Sequence, residues 1–293
     1  MKTHSIAACL LATLWVLAGT AASDSAERLI STEELEARLE SVLPLDTRSP
    51  QDFNQGHIPG AAHVHFEAVS ETRDGIPGML RPAPELRQLL ADSGVDPNRP
   101  IVIYSGMENA GDFRMAARLF FVLEYMGYSQ VAILDGGYRK WVTEERPTAS
   151  GALTVTAIPL EQVPEAENAA ILMEKDDVLR ALPQPRVLLT DQRLAAEYTG
   201  QHPHSNGHIP GAISQPMSDF MSGPQHLFKT GEALDAMLRK AADAVQIVTY
   251  CNTGHTSSVG YFAYRLAGFD NVAMYDASMR EWSRDPVLPL ERE

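Results

Sequence analysis

Apolar residues along this chain follow two rhythms. Short continuous runs at 42–45, Ile101–Tyr104 and Val131–Leu134 recur as 187–189, 247–250 and Val272–Tyr275. Runs of this length without alternation are those of strands buried on both faces, as in parallel sheets. Between them the spacing turns helical. Ser31-Thr32-Glu33-Glu34 carries the capping-box pattern that opens a helix, and 85–90, Phe113–Tyr125 and 232–242 continue the series. Residues 256–266 read as a further helix, with Val259, Phe262, Ala263 and Leu266 on one face. The alternation predicts an α/β fold, doubly wound, each mostly parallel sheet flanked by helices.

The pattern occurs twice. Gly56-His57-Ile58-Pro59-Gly60-Ala61 returns identically as Gly207-His208-Ile209-Pro210-Gly211-Ala212, too long a match to be casual in an unbiased sequence. Around it, Leu45-Asp46-Thr47-Arg48 parallels Thr190-Asp191-Gln192-Arg193. Ile101 to Ser105 parallels Ile247 to Cys251, and Asp135 to Trp141 parallels Asp276 to Trp282. The offset drifts by only a few residues, as expected of two copies of one domain that differ in their loops. We place the copies at 29–147 and 169–293, joined by a linker at 148–168 that follows Pro147 and opens with Thr148-Ala149-Ser150-Gly151.

Composition narrows the partners. At 44% hydrophobic, 293 residues can bury two ordinary cores without a metal or disulfide staple. The formal charge of -14, with no basic cluster, argues against nucleic acid or an anionic membrane as partner. Residues 1–22 carry a short basic start, an apolar stretch from Ile6 to Ala18 and small residues near Ala22. That is the pattern of a cleaved export signal, too short to span a bilayer. It predicts a periplasmic or secreted protein with no membrane attachment after cleavage. Cys9 then leaves with the signal, and Cys251 is the mature chain's lone thiol.

Cys251 stands where an apolar run meets the loop Asn252-Thr253-Gly254-His255-Thr256 and a predicted helix. A lone cysteine at a strand end is often a small buried residue. Here it faces a helix N-terminus, whose free N–H groups, in a loop that Gly254 lets close, form an anion cradle suited to a thiolate nucleophile. His202, His204 and His208 fall close together, yet His208 belongs to the repeated motif and no acidic or thiol partner is fixed nearby, so no metal site is expected. His57 and His208 read as structural, orienting the turn before a strand, because the first copy has the same histidine but no cysteine.

Together, the Asp-x-Arg strand ends, the repeated Gly-His-Ile-Pro-Gly-Ala segment, the Cys251-x-x-Gly254-x-Thr256 loop and the closing Asp276 to Trp282 segment resemble the rhodanese-type sulfurtransferases in their exported tandem form. The resemblance implies a non-catalytic first copy, with Ser105 at the cysteine position, and a catalytic second copy. It implies ping-pong transfer of a sulfane sulfur through a Cys251 persulfide to a thiol or cyanide, with no cofactor. Arg193 matches the family's strand-end arginine that reaches the site from the side, although an ion pair with Asp191 would occupy it equally well. Thiosulfate-specific loops in the family usually carry a basic residue after the cysteine. Neutral Asn252 and Thr253 therefore lean toward 3-mercaptopyruvate, unless His255 supplies a positive charge near neutral pH.

Two other functions compete. A cysteine phosphatase or arsenate reductase on this fold needs Cys-x5-Arg, and Ser257 stands at that arginine position. A persulfide carrier or partner-binding module would share only the first half-reaction.

Overall fold

The structure is a computed structural model that describes residues 27–152, 156–165 and 168–293. The expected export signal lies outside the described residues. Two five-stranded parallel sheets form the framework. The first runs in the order Leu29–Ile30, Val131–Leu134, Ile101–Tyr104, Leu43–Asp46, Ala62–His63. The second repeats it as Leu172–Met173, Val272–Tyr275, Gln246–Tyr250, Val187–Asp191, Ile213–Ser214. Each predicted apolar run became an inner strand within a residue or two at its ends. The outermost strands are two residues long, too short for periodicity to announce them.

The helices match the same reading. Ser31 caps the first as expected: its hydroxyl accepts the Glu34 N–H at 3.2 Å while Glu34 accepts the Ser31 N–H at 2.7 Å. Helix Phe113–Tyr125 occupies its predicted span, and Ser257–Leu266 begins one residue late. These two helices pack against each other across the domain boundary. Phe262 meets Phe113 and Phe120 with ring centroids 5.4 and 5.0 Å apart, and Phe121 meets Tyr261 edge-on at 5.0 Å. Such pairs add roughly 0.5–1.5 kcal/mol each beyond area burial, and the apolar core runs continuously from one domain into the other.

Each domain also sends a small antiparallel hairpin over its neighbour. The first domain's hairpin, Ser70–Arg73 with Ile76–Leu80, donates the Leu80 N–H to Asp276 of the second at 2.6 Å. The second domain's hairpin, Met221–Ser222 with Leu227–Phe228, donates the Phe228 N–H to Asp135 of the first at 2.9 Å. Sequence equivalence of Asp135 and Asp276 thus becomes a reciprocal exchange. Residues at the start of the linker pair with the first domain, where Ala149 bridges His57. The repeated histidines are structural: His57 Nδ1 bonds the Phe53 carbonyl and His208 Nδ1 the Tyr198 carbonyl, each at 2.9 Å.

Candidate active site

Cys251 follows the last residue of Gln246–Tyr250, the central strand of the second sheet. The carboxyl end of such a strand is where open α/β sheets bind ligands. The thiol is free and 1% exposed. Its own N–H donates to Ser278 Oγ at 3.1 Å, and its carbonyl accepts the Met279 N–H at 3.0 Å. Ser278 holds a left-handed conformation, φ 52°, which a non-glycine residue adopts only against roughly 1–2 kcal/mol of strain. Its hydroxyl donates in turn to the Tyr275 carbonyl at 2.7 Å.

The loop 252–256 is braced from behind. Ser257 and Ser258 hydroxyls both donate to the Gly254 carbonyl, at 3.0 and 2.8 Å. Gly254 has φ +81°, and a Cβ there would collide with Asp276, so glycine is required for both torsion and space. Among the described residues, the backbone N–H groups of Asn252 through Thr256 donate to no carbonyl or side chain. Five successive open donors leading into a helix N-terminus are an arrangement able to receive an anion.

A cavity of about 300 Å³ adjoins the loop, lined by Asn252, Thr256, Gln192, Arg193, Leu194, Glu197, Pro216 and Met217 with Arg114 of the first domain. Cys251 itself does not line it. Arg193 does line it, but its guanidinium is engaged. It grips Asp191 at 2.6 and 2.9 Å and the Gly207 carbonyl at 2.9 Å. Arg48 grips Asp46 and the Gly56 carbonyl in the same way in the first copy. Of the two alternatives for Arg193, the ion pair is the one the structure contains. Asn252 donates its amide to Glu197 at 2.8 Å.

His255 departs from expectation. It packs under the first domain, with Nε2 3.4 Å from Ser70 Oγ, Nδ1 3.3 Å from Thr253 Oγ1 and its ring edge-on to Phe66. Burial first, and then the positive charges of Arg118 and Arg114 against the opposing pull of Asp276, hold its pKa down at about 4. The imidazole is therefore neutral near pH 7, and the conditional charge expected of it is absent. Of the three neighbouring histidines, His202 and His204 lie together while His208 is turned inward onto Tyr198. No group of three or more His, Cys, Asp or Glu among the described residues could hold a metal ion.

The first domain's contribution escaped the sequence reading. Gly78 of its hairpin lies so close that a Cβ there would stand 2.8 Å from the Thr253 carbonyl oxygen. Arg118, 0% exposed, extends from helix Phe113–Tyr125 to Asp276 at 2.6 Å and to the Gly78 carbonyl at 3.0 Å. Its signal was present: a single charge in the apolar run Met115-Ala116-Ala117-Arg118-Leu119-Phe120-Phe121 demands a buried partner. Arg114 lines the cavity and donates to the Gly111 carbonyl at 2.6 Å, with no carboxylate partner among the described residues.

Paired parallel α/β domains, one bearing a cysteine loop at the carboxyl end of its central strand, define the class of tandem proteins built on this domain. The chain belongs to the rhodanese-like domain family, whose sequence model matches residues 31–144 and 174–285. It is 31% identical over 289 residues to the thiosulfate sulfurtransferase of Corynebacterium glutamicum, covering 90% of both chains. It is 29% identical over 265 residues to the 3-mercaptopyruvate sulfurtransferase of Escherichia coli, covering 88% of this chain and 91% of that one. In fold it is similar to the anaerobic ergothioneine biosynthesis enzyme of Chlorobium limicola, with TM-score 0.78 and 22% identity, covering 91% of this chain and 70% of that one. Among the described residues no helix is long and apolar enough to cross a membrane.

Proposed function

We propose that the protein is a sulfurtransferase that takes a sulfane sulfur from a small anionic donor onto Cys251 and passes it to a thiol or cyanide. The observation that carries this reading is the free Cys251 at the head of five backbone N–H groups with no protein acceptor. In the first half-reaction the thiolate attacks the donor's terminal sulfur. The donor's sulfur bond breaks and its electron pair leaves with sulfite from thiosulfate, or with the enolate of pyruvate from 3-mercaptopyruvate. In the second, an acceptor nucleophile attacks the outer sulfur of the persulfide and the thiolate is released. The attacking thiolate and the persulfide anion both place negative charge on this sulfur, and open N–H groups fixed before the reaction stabilise that charge without reorganisation.

The two curated relatives carry different donor names, so donor choice rests on this chain's own cavity. Arg114 offers a guanidinium with no carboxylate partner among the described residues, suited to one carboxylate or sulfonate. Glu197 on the same wall opposes a second negative charge. That combination supports 3-mercaptopyruvate, a monoanion, over dianionic thiosulfate. Steady-state turnover with each donor and cyanide or a thiol tests the reading. Repeated turnover with a higher kcat/KM for 3-mercaptopyruvate is expected. A single sulfur loaded and never released would instead identify a persulfide carrier. We propose export as well, on the leader pattern of residues 1–22, to be tested by the N-terminus of the protein recovered from its native host.

A further inference from the structure

The Arg118–Asp276 pair lies on the line where the first domain meets the cysteine loop. Arg118 comes from the first domain and is 0% exposed; Asp276 comes from the second and is 4% exposed. One arm of the guanidinium bonds Asp276 Oδ1 at 2.6 Å and the other bonds the Gly78 carbonyl at 3.0 Å. The remaining carboxylate oxygen takes the Leu80 N–H at 2.6 Å. The second domain thus contributes the carboxylate, and the first domain supplies these bonds to it. Asp276 has two links to the loop: Gly254 packs directly against it, and two residues on, Ser278 accepts the Cys251 N–H.

The first copy lacks this arrangement on the other side. Asp135 receives the Phe228 N–H, but Val259, the counterpart of Arg118 when Gly127 is set on Gly268, brings no charge to it. Burial pushes the Asp135 carboxyl up, with the Phe228 hydrogen bond, the more distant positive charge of Lys140 and the Gly136 hydrogen bond only partly opposing. The arginine is therefore specific to the side of the interface that faces the cysteine.

We propose that Arg118 is a positioning residue of the sulfur site, contributed by the non-catalytic domain: it fixes Asp276, and through it Gly254 and Ser278, and it cancels a carboxylate charge that would otherwise oppose an anionic sulfur. A buried ion pair differs sharply from either half alone. Removing one partner leaves a lone buried charge, whereas neutralising both leaves none. The two single substitutions therefore act with different signs. Arg118→Met leaves the Asp276 carboxylate bare beside the loop. Asp276→Asn keeps the shape but can accept only one of the two hydrogen bonds, from Arg118 or from Leu80, and it leaves a positive charge that favours anionic sulfur.

The test is the rate of Cys251 alkylation by iodoacetamide in the full chain at one fixed pH, with folding followed by circular dichroism. The inference rests on Cys251 being the reacting group of the proposed function. Alkylation requires no sulfur donor, so a failure of that function leaves this result readable. Arg118→Met is expected to slow alkylation about tenfold, Asp276→Asn to leave it unchanged or faster, and the double variant to recover to within about threefold of wild type. Equal rates in all the folded variants overturn the proposal, as does a double variant as slow as Arg118→Met. Should Arg118→Met not fold, Arg118→Lys keeps the charge but loses the two-armed grip and must slow alkylation several-fold; an unchanged rate there overturns the proposal equally.

Discussion

The loops that follow Ser105 and Cys251 start from the same strand end and reach equivalent helices, yet one closes on itself and the other stays open. After Ser105, Asp112 accepts the N–H groups of Glu108 and Asn109 at 2.8 and 3.3 Å, and Asn109 accepts that of Gly111 at 2.9 Å. The first loop therefore carries its own anion. After Cys251 no carboxylate takes a backbone N–H of residues 252–256, and those donors find no protein acceptor among the described residues. A second difference lies in the segment that backs each loop. Gly137 holds φ +55° where Ser278 holds φ +52°, and only the serine offers a hydroxyl to the N–H of the reacting position. The two copies thus differ by more than a thiol: in the first, several of the donors that could hold an anion are satisfied internally.

This contrast predicts what a transplanted cysteine can do. Cys251→Ser is expected to abolish sulfur transfer by at least about a thousandfold while leaving the fold intact, because a serine hydroxyl stays protonated at neutral pH. Adding Ser105→Cys to that variant is expected to restore nothing, since Asp112 still fills the loop. Recovered turnover in the double variant would show that the thiol alone distinguishes the copies. Next in size is Arg114→Ala, expected to raise KM about tenfold with kcat changed less than about threefold, the pattern of lost ground-state binding. A fall in kcat alone would remove Arg114 from donor binding.

Copying the first domain more subtly, Ser278→Gly relieves the left-handed strain but strands the buried Cys251 N–H. The two terms nearly cancel in stability, to within about 1 kcal/mol, whereas kcat/KM is expected to fall several-fold. Unchanged kinetics would reduce Ser278 to a turn residue. The smallest effect concerns His255. Its folded pKa of about 4 lies below the ordinary 6.5, so between those values the unfolded chain binds the extra proton. Stability from this group is complete above about pH 6.5 and is lost as the pH falls toward 4, by up to about 3 kcal/mol. Denaturation curves of wild type and His255→Gln should diverge only in that window. Between pH 8 and 6 the ratio of kcat/KM for thiosulfate to that for 3-mercaptopyruvate should stay flat. A rise toward pH 6 that disappears in His255→Gln would restore the charged imidazole.

Much of this was legible in the chain. Strands buried on both faces announce themselves as unbroken apolar runs, and the identical Gly-His-Ile-Pro-Gly-Ala segments disclosed the duplication before any coordinate. Cys251 and its loop were readable because strand, glycine and helix follow one another in sequence. What sequence could not convey was anything made by the two domains together. Arg114, Arg118 and Gly78 lie far from Cys251 along the chain, and only the packing of Phe113–Tyr125 on Ser257–Leu266 brings them to the loop. His255 was misread for the same reason: in a polar loop it reads as solvated, whereas the first domain buries it beside two arginines. Arg193 was left between two roles because Asp-x-Arg spacing permits both, and only coordinates show which bonds are filled.

The central claim is that Cys251, followed by five backbone N–H groups with no protein acceptor among the described residues, accepts a sulfane sulfur. The direct measurement is the intact mass of the purified protein after separate incubation with 3-mercaptopyruvate and with thiosulfate, followed by removal of the donor. One added sulfur is predicted, mapped to Cys251, discharged by cyanide and absent from Cys251→Ser. No added sulfur from either donor on a folded wild-type protein, or an adduct that survives in Cys251→Ser, would contradict it.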